Sequence, residues 1–156
     1  MGLLDEEEMY RVNAFDWDGS GGFPEIIKAG GFDAVIGNPP YGAYLFDTEK
    51  SYLVSKYESQ SYQLESYLLF LEKSVNDLLA EEGFFGMIIP NPWLTNLRQK
   101  GIRRFVTRNV RIVEIAHFFF HVFPKVTVDN EIVILQKAIP NNWKSVVTLF
   151  DSREAL

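Results

Sequence analysis

A chain of 156 residues with 47% hydrophobic and 15% aromatic residues can fill one core, which excludes a disordered polymer and points to about one domain. It has no cysteine, which rules out disulfides and thiolate metal sites and fits a reducing cytoplasm; no apolar run approaches the ~20 residues that cross a bilayer, and the acidic first eight residues lack a signal-peptide core. A formal net charge of −6 argues against a nucleic-acid surface spread over the whole chain, so any grip on DNA must be local or come from another part.

Taken in order, Glu6, Glu7 and Glu8 read as the solvated start of a short helix. Trp17 and Phe23 are expected to pack down on a sheet from a surface loop. Residues 18–22, rich in glycine, lack the G-x-G-x-x-G spacing and have no strand leading into them, so they read as a flexible turn. Phe32, Ala34, Val35 and Ile36 then form a short apolar run, the pattern of a strand buried on both faces of a parallel sheet. Gly37 closes it, Pro39 and Pro40 forbid further ladder pairing, and Asn38, standing before a proline, is held extended. Ligands of open α/β sheets bind at such carboxyl strand ends.

Residues 42–63 are polar and tyrosine-rich (Tyr44, Tyr52, Tyr57, Tyr62), either a functional connection or a self-packed lid. Tyr67, Phe70, Leu71, Val75, Leu78 and Leu79 recur at helical spacing, with Gly83 as the stop. Residues 84–89 read as a second buried strand ended by Pro90, and Asn91-Pro92 as rim structure. Residues 96–108 read as a helix carrying Arg98, Lys100, Arg103, Arg104 and Arg108, either a phosphate-contacting face or a solvated one; Gly101 costs such a helix about 1 kcal/mol relative to alanine. Residues 111–120 read as a third strand. His117 and His121 have no third ligand in view and are expected to edge the sheet rather than bind metal. Val126-Thr127-Val128 and residues 132–135 read as alternating strand, 141–143 as a turn, and 146–150 as an edge strand or an end effect.

The tetrad Asn38-Pro39-Pro40-Tyr41 matches one chemistry well. The exocyclic amino group of adenine is a poor nucleophile because its lone pair is delocalised into the ring. Two acceptors that take both amino hydrogens would localise that lone pair. The side-chain oxygen of Asn38 is one, and the backbone carbonyl of Pro39, held by the fixed φ of proline, is the other. Tyr41 is placed to stack on a base.

Asn-Pro-Pro-Tyr after an apolar strand resembles the catalytic motif of S-adenosylmethionine-dependent amino-methyltransferases. The ordered series GGFDAVIGNPPYG (30–42), YLLFLE (67–72) and GFFGMIIPNPWL (83–94) resembles the adenine-specific DNA methyltransferases of single-chain restriction-modification and phage-defence enzymes, over roughly residues 14–137. The resemblance implies an α/β fold, the second half of a Rossmann-like class I methyltransferase sheet. It also implies Asn38, Pro39, Pro40 and Tyr41 as catalytic residues and Phe123, in its Val-Phe-Pro context, as a second stacking ring. Asp16 and Asn38 would contact the cofactor S-adenosylmethionine, and Arg98, Lys100, Arg103 and Arg104 the phosphates of double-stranded DNA. No metal and no nuclease motif is indicated.

A class I cofactor site is built from a first βαβ unit with a glycine-rich turn, and nothing before Phe32 supplies one. The chain is therefore expected to form residues 1–156 of a partial catalytic domain that binds S-adenosylmethionine poorly alone, completed by an amino-terminal half, with a specificity domain or subunit elsewhere. Cytosine amino groups, release-factor glutamine, and a non-catalytic DNA- or partner-binding role remain as alternatives.

Overall fold

The computed structural model describes residues 15–42, 45–59, 64–123 and 128–155. The expected helix start at Glu6, Glu7 and Glu8, Tyr44 and Tyr62 of the polar connection, Pro124, Val126 and Thr127 lie outside them.

Five strands form one sheet: β1 (Phe32–Gly37), β2 (Leu79–Pro90), β3 (Arg111–Phe118), β4 (Asn130–Gln136) and β5 (Val146–Phe150). They lie in the order β1-β2-β4-β3-β5. β1 runs parallel to β2, and β3 to β5, while β4 is antiparallel to both β2 and β3. β1, β2, β3 and β5 therefore present their carboxyl ends along one edge. The helices are α1 (Pro24–Lys28), α2 (Asp47–Lys56), α3 (Ser66–Lys73), α4 (Pro92–Thr95) and α5 (Lys100–Asn109).

Parity along the strands decides which residues meet the helices. Val35, Phe85, Met87, Ile89, Val133 and Leu135 share one face. They form the core with Leu68 and Leu71 of α3 and Ile102, Phe105 and Val106 of α5. The opposite face carries Ile36, Phe84 and Ile132, which remain 84%, 45% and 36% exposed. This corrects the expectation that β1 is buried on both faces: it is an edge strand covered on one face among the described residues. At its start, Phe23 packs edge-on against Phe32 with centroids 5.3 Å apart, and Phe15 and Trp17 continue that cluster.

Two element boundaries also differ from expectation. The helix of residues 67–79 ends in a π-helical turn, Ser74–Leu78, and β2 begins at Leu79 rather than Phe84. Gly83 does not cap the helix. It lies inside β2, in a bulge between the pairs Phe32↔Leu79 and Ala34↔Phe84, where Glu82 has φ 64. Leu78 and Leu79 fit a helical stripe and a buried strand equally well, so periodicity could not separate them. The basic helix of residues 96–108 is also divided. The Asn96 side chain accepts the Arg98 N–H at 2.9 Å and starts a 3-10 turn, Leu97–Gln99, before α5. β3 stops at Phe118. Residues 141–143 form a turn with Asn142 at φ 45, and residues 146–150 pair as β5.

Gly31 runs at φ +113 beside residues 78–80, where a Cβ would sit 2.5 Å from Leu78 O. At Gly101 a Cβ would lie 2.5 Å from Ser59 O, so the end of the polar connection reaches α5 only over glycine. Helix propensity alone favours Gly101→Ala by about 1 kcal/mol, but overpacking costs about 1–3 kcal/mol. The expected net result is a lowered urea midpoint; a raised midpoint would show that Ser59 can move aside.

Candidate active site

β1 delivers residues 38–41 to the carboxyl edge of the sheet. Asn38 is exposed, Pro39 buried and Pro40 exposed. Ser66, the first residue of α3, donates its hydroxyl to the Pro40 carbonyl at 2.5 Å. The Pro39 carbonyl accepts no hydrogen bond among the described residues. Of the two proline carbonyls, that of Pro40 is tied to α3, and that of Pro39 has no partner among the described residues and stands beside an exposed amide.

Tyr41 folds back on the core. Its hydroxyl lies 3.0 Å from Ile88 O and 3.2 Å from Asn38 Oδ1. It has one hydrogen to donate, and Ile88 O is the nearer acceptor. Burial pushes its phenol above the ordinary value, so it stays a donor. Tyr67 meets it edge-on at 6.3 Å. β1 is thereby cross-tied to β2 next to the motif, and the Tyr41 ring is held at a set angle.

The other residues singled out from sequence are dispersed. Phe123 is half-buried and follows the carboxyl end of β3. That is the same edge as Asn38, with the ends of β3 and β1 three strand spacings, or about 14 Å, apart. Asp16 belongs to the aromatic cluster at the start of β1, where its carboxylate accepts the Gly19 N–H at 3.1 Å; the structure does not bring it to the motif. Lys100, Arg104 and Arg108 are exposed along α5, and Arg98 just before it. Arg103 is engaged differently: its guanidinium donates to Trp93 O at 2.7 Å and Asn96 O at 2.8 Å. His121 accepts from Arg153 through its backbone carbonyl, and His117 lies near Glu131.

Two buried acids were not singled out from sequence. Glu72 of α3 accepts the N–H groups of Glu58 at 2.8 Å and Ser59 at 3.1 Å, and the Ser59 hydroxyl. It thereby fastens the end of the polar connection to the helix. Glu131 of β4 accepts the Trp93 indole N–H at 2.6 Å. Burial raises its carboxyl to about 7, and the Trp93 hydrogen bond pulls against that rise. Both carried a signal. Glu72 is four residues after Leu68 and three before Val75, on the apolar stripe, and Glu131 shares the parity of Val133 and Leu135. An acid in an apolar register is expensive unless it is hydrogen-bonded.

Comparison with known proteins places the chain. The model of the Eco57I restriction-modification methylase family matches residues 3–123. RM.MjaORFECS2P of Methanocaldococcus jannaschii is 34% identical over 136 residues, which is 87% of this chain and 11% of that protein. The type II restriction enzyme and methyltransferase RM.Eco57I of Escherichia coli is 28% identical over 144 residues, 88% of this chain and 13% of that protein. The chain thus spans about a tenth of the length of these relatives. Among solved structures, lmo1582 of Listeria monocytogenes, described as a class I S-adenosylmethionine-dependent methyltransferase, superposes with TM-score 0.63 at 20% identity, over 79% of this chain and 38% of that one. The M protein of the type I restriction enzyme EcoKI superposes with TM-score 0.52 at 18% identity, over 69% and 21%. At these identities the likeness is one of fold, which is the Rossmann-like class I fold expected from the sequence.

Proposed function

Because the chain belongs to the Eco57I restriction-modification methylase family, we propose that it is the motif-bearing part of a DNA methyltransferase acting on the exocyclic amino group of an adenine swung out of the duplex. The observation that supports this reading is the pair of acceptors at the end of β1: an exposed Asn38 amide beside a Pro39 carbonyl that accepts no hydrogen bond among the described residues. Both are set on a rigid strand end, with Pro40 fastened by Ser66 and Tyr41 by Ile88. Acceptors fixed before the substrate arrives need no reorganisation during reaction. Asn38 Oδ1 and Pro39 O would take the two amino hydrogens, and Tyr41 and Phe123 would flank the ring. Arg98, Lys100 and Arg104, near the amino end of α5, lie toward the same edge and would meet phosphates; Arg103 holds the residue 93–96 turn in place.

S-adenosylmethionine supplies the electrophilic methyl group when bound. The described residues fit it in part. Asn38 stands where the cofactor and base would meet, but no glycine-rich strand-turn-helix is present among them. The open long edge of β1 and the uncovered Ile36 and Phe84 support the proposal that further polypeptide completes the sheet and the cofactor site.

The test is methyl transfer by the full-length protein from isotopically labelled S-adenosylmethionine, with nucleosides resolved after digestion. Labelled N6-methyladenine is the expected product. Label in N4-methylcytosine, or in release factor instead of DNA, would replace this reading.

A further inference from the structure

Glu131 lies behind the motif, on β4, in register with Ile89 of β2 and His117 of β3, on the helix-covered face. It is fully buried. Oε1 accepts the Trp93 indole N–H at 2.6 Å. Among the described residues Oε2 has no hydrogen-bond partner, and the basic atom beside it is His117 Nδ1, 3.7 Å away. Trp93 belongs to α4, which starts two residues after β2 ends at Pro90; Ile88, whose carbonyl holds the Tyr41 hydroxyl, lies in that strand next to Ile89, the register partner of Glu131. The stretch from Asn91 to Trp93 is joined to the lead-in of β4 by the Asn91 N–H to Asp129 O bond of 3.0 Å, and to α5 by Arg103. One acid on β4 therefore pairs with the strand that holds the motif tyrosine and anchors the indole just beyond that strand's end.

We propose that Glu131 is a positioning residue for methyl transfer, acting through Trp93 and Ile88 on Tyr41 and Asn38, and that its ionised form sets the working geometry. This rests on the methyltransferase reading above. The short indole bond fits a charged acceptor, since charge-assisted bonds are the shorter and stronger ones. Among the described residues, the titratable groups facing Glu131 are His117 on β3 and Tyr67 on α3. Tyr67, pushed up by burial, stays uncharged across the neutral range. The carboxyl, raised from its ordinary 4.5 to about 7, titrates where activity is measured. The sign for stability is opposite to that for activity. The folded chain keeps a proton that the unfolded chain sheds, so the contribution to stability is present below about pH 4.5 and lost as pH rises through about 7.

Two measurements test the role. In the 156-residue chain, the Trp93 indole N–H resonance is expected to move with a midpoint near pH 7 and to stay fixed in Glu131→Gln, which keeps an acceptor and the His117 ring but cannot ionise. In the full-length protein, kcat is expected to rise about tenfold between about pH 6 and about pH 8, as one ionisation near 7 requires. In Glu131→Gln kcat is expected to be flat, with KM for DNA unchanged in both. An indole signal that does not titrate in the wild type, or a rising limb retained in Glu131→Gln, overturns the proposal. A wild type that methylates no DNA at any pH removes the methyltransferase reading and this role together; the indole titration then separates that failure from a wrong account of the Glu131 contact.

Discussion

Asn38→Ala in the full-length protein is expected to lower kcat/KM for DNA methylation by about 10²–10³-fold, the cost found when one preorganised acceptor or donor is removed from a reacting group. Stability should change by less than about 0.5 kcal/mol, because exposed side chains away from caps and core contribute little. Asn38 is exposed, and its described contact is the 3.2 Å approach of the Tyr41 hydroxyl, which keeps Ile88 O as acceptor when the amide is gone. Loss of turnover in a fully folded variant is therefore the signature, read from labelled-methyl transfer beside a thermal melt. On the proposed reading, the remaining acceptor, Pro39 O, would hold one amino hydrogen but would not localise the nitrogen lone pair alone. Retained turnover in Asn38→Ala would end the assignment of this strand end as the reaction centre.

Glu72→Ala is expected to have the opposite profile, with a loss of about 3 kcal/mol in unfolding free energy. The substitution removes the acceptor for two backbone N–H groups and one hydroxyl in a buried place, and each orphaned donor costs about 1–3 kcal/mol. Ser59 is packed against Gly101, so the donors cannot turn to water without opening the contact with α5. Hydrogen exchange at Glu58 and Ser59 should rise with the loss of stability. Glu72→Gln, which keeps one acceptor oxygen, should recover part of it. A Glu72→Ala variant as stable as the parent would show that water replaces the carboxylate at no cost.

Residues near one another in the chain were legible before any coordinates. The run from Phe32 to Ile36 reads as strand because small and branched apolar residues precede a glycine and two prolines. The site at its end reads as acceptor chemistry because proline presents a fixed carbonyl without an N–H. Even the stretch from Asn96 to Arg108 was legible as basic and helical, whereas the short helix from Pro92 to Thr95 was not. The division of that basic stretch at Asn96 was not legible either, because a side chain capping a nearby N–H competes with helix on terms that periodicity does not record.

By itself, the sequence determined the strand–motif–helix succession, the amide with its neighbouring proline carbonyl at a strand end, and the family these imply. Proline geometry and hydrophobic spacing act over a few residues and need no partner. Only the tertiary structure decided that β1 is an edge strand open on one face, that Arg103 supports a turn while Lys100 and Arg104 face outward, and that Glu72 and Glu131 are buried fasteners rather than surface acids. Those outcomes depend on strand order, register and the approach of Ser59 to Gly101 and of Trp93 to Glu131. They are contacts between residues tens of positions apart, and no local pattern encodes them.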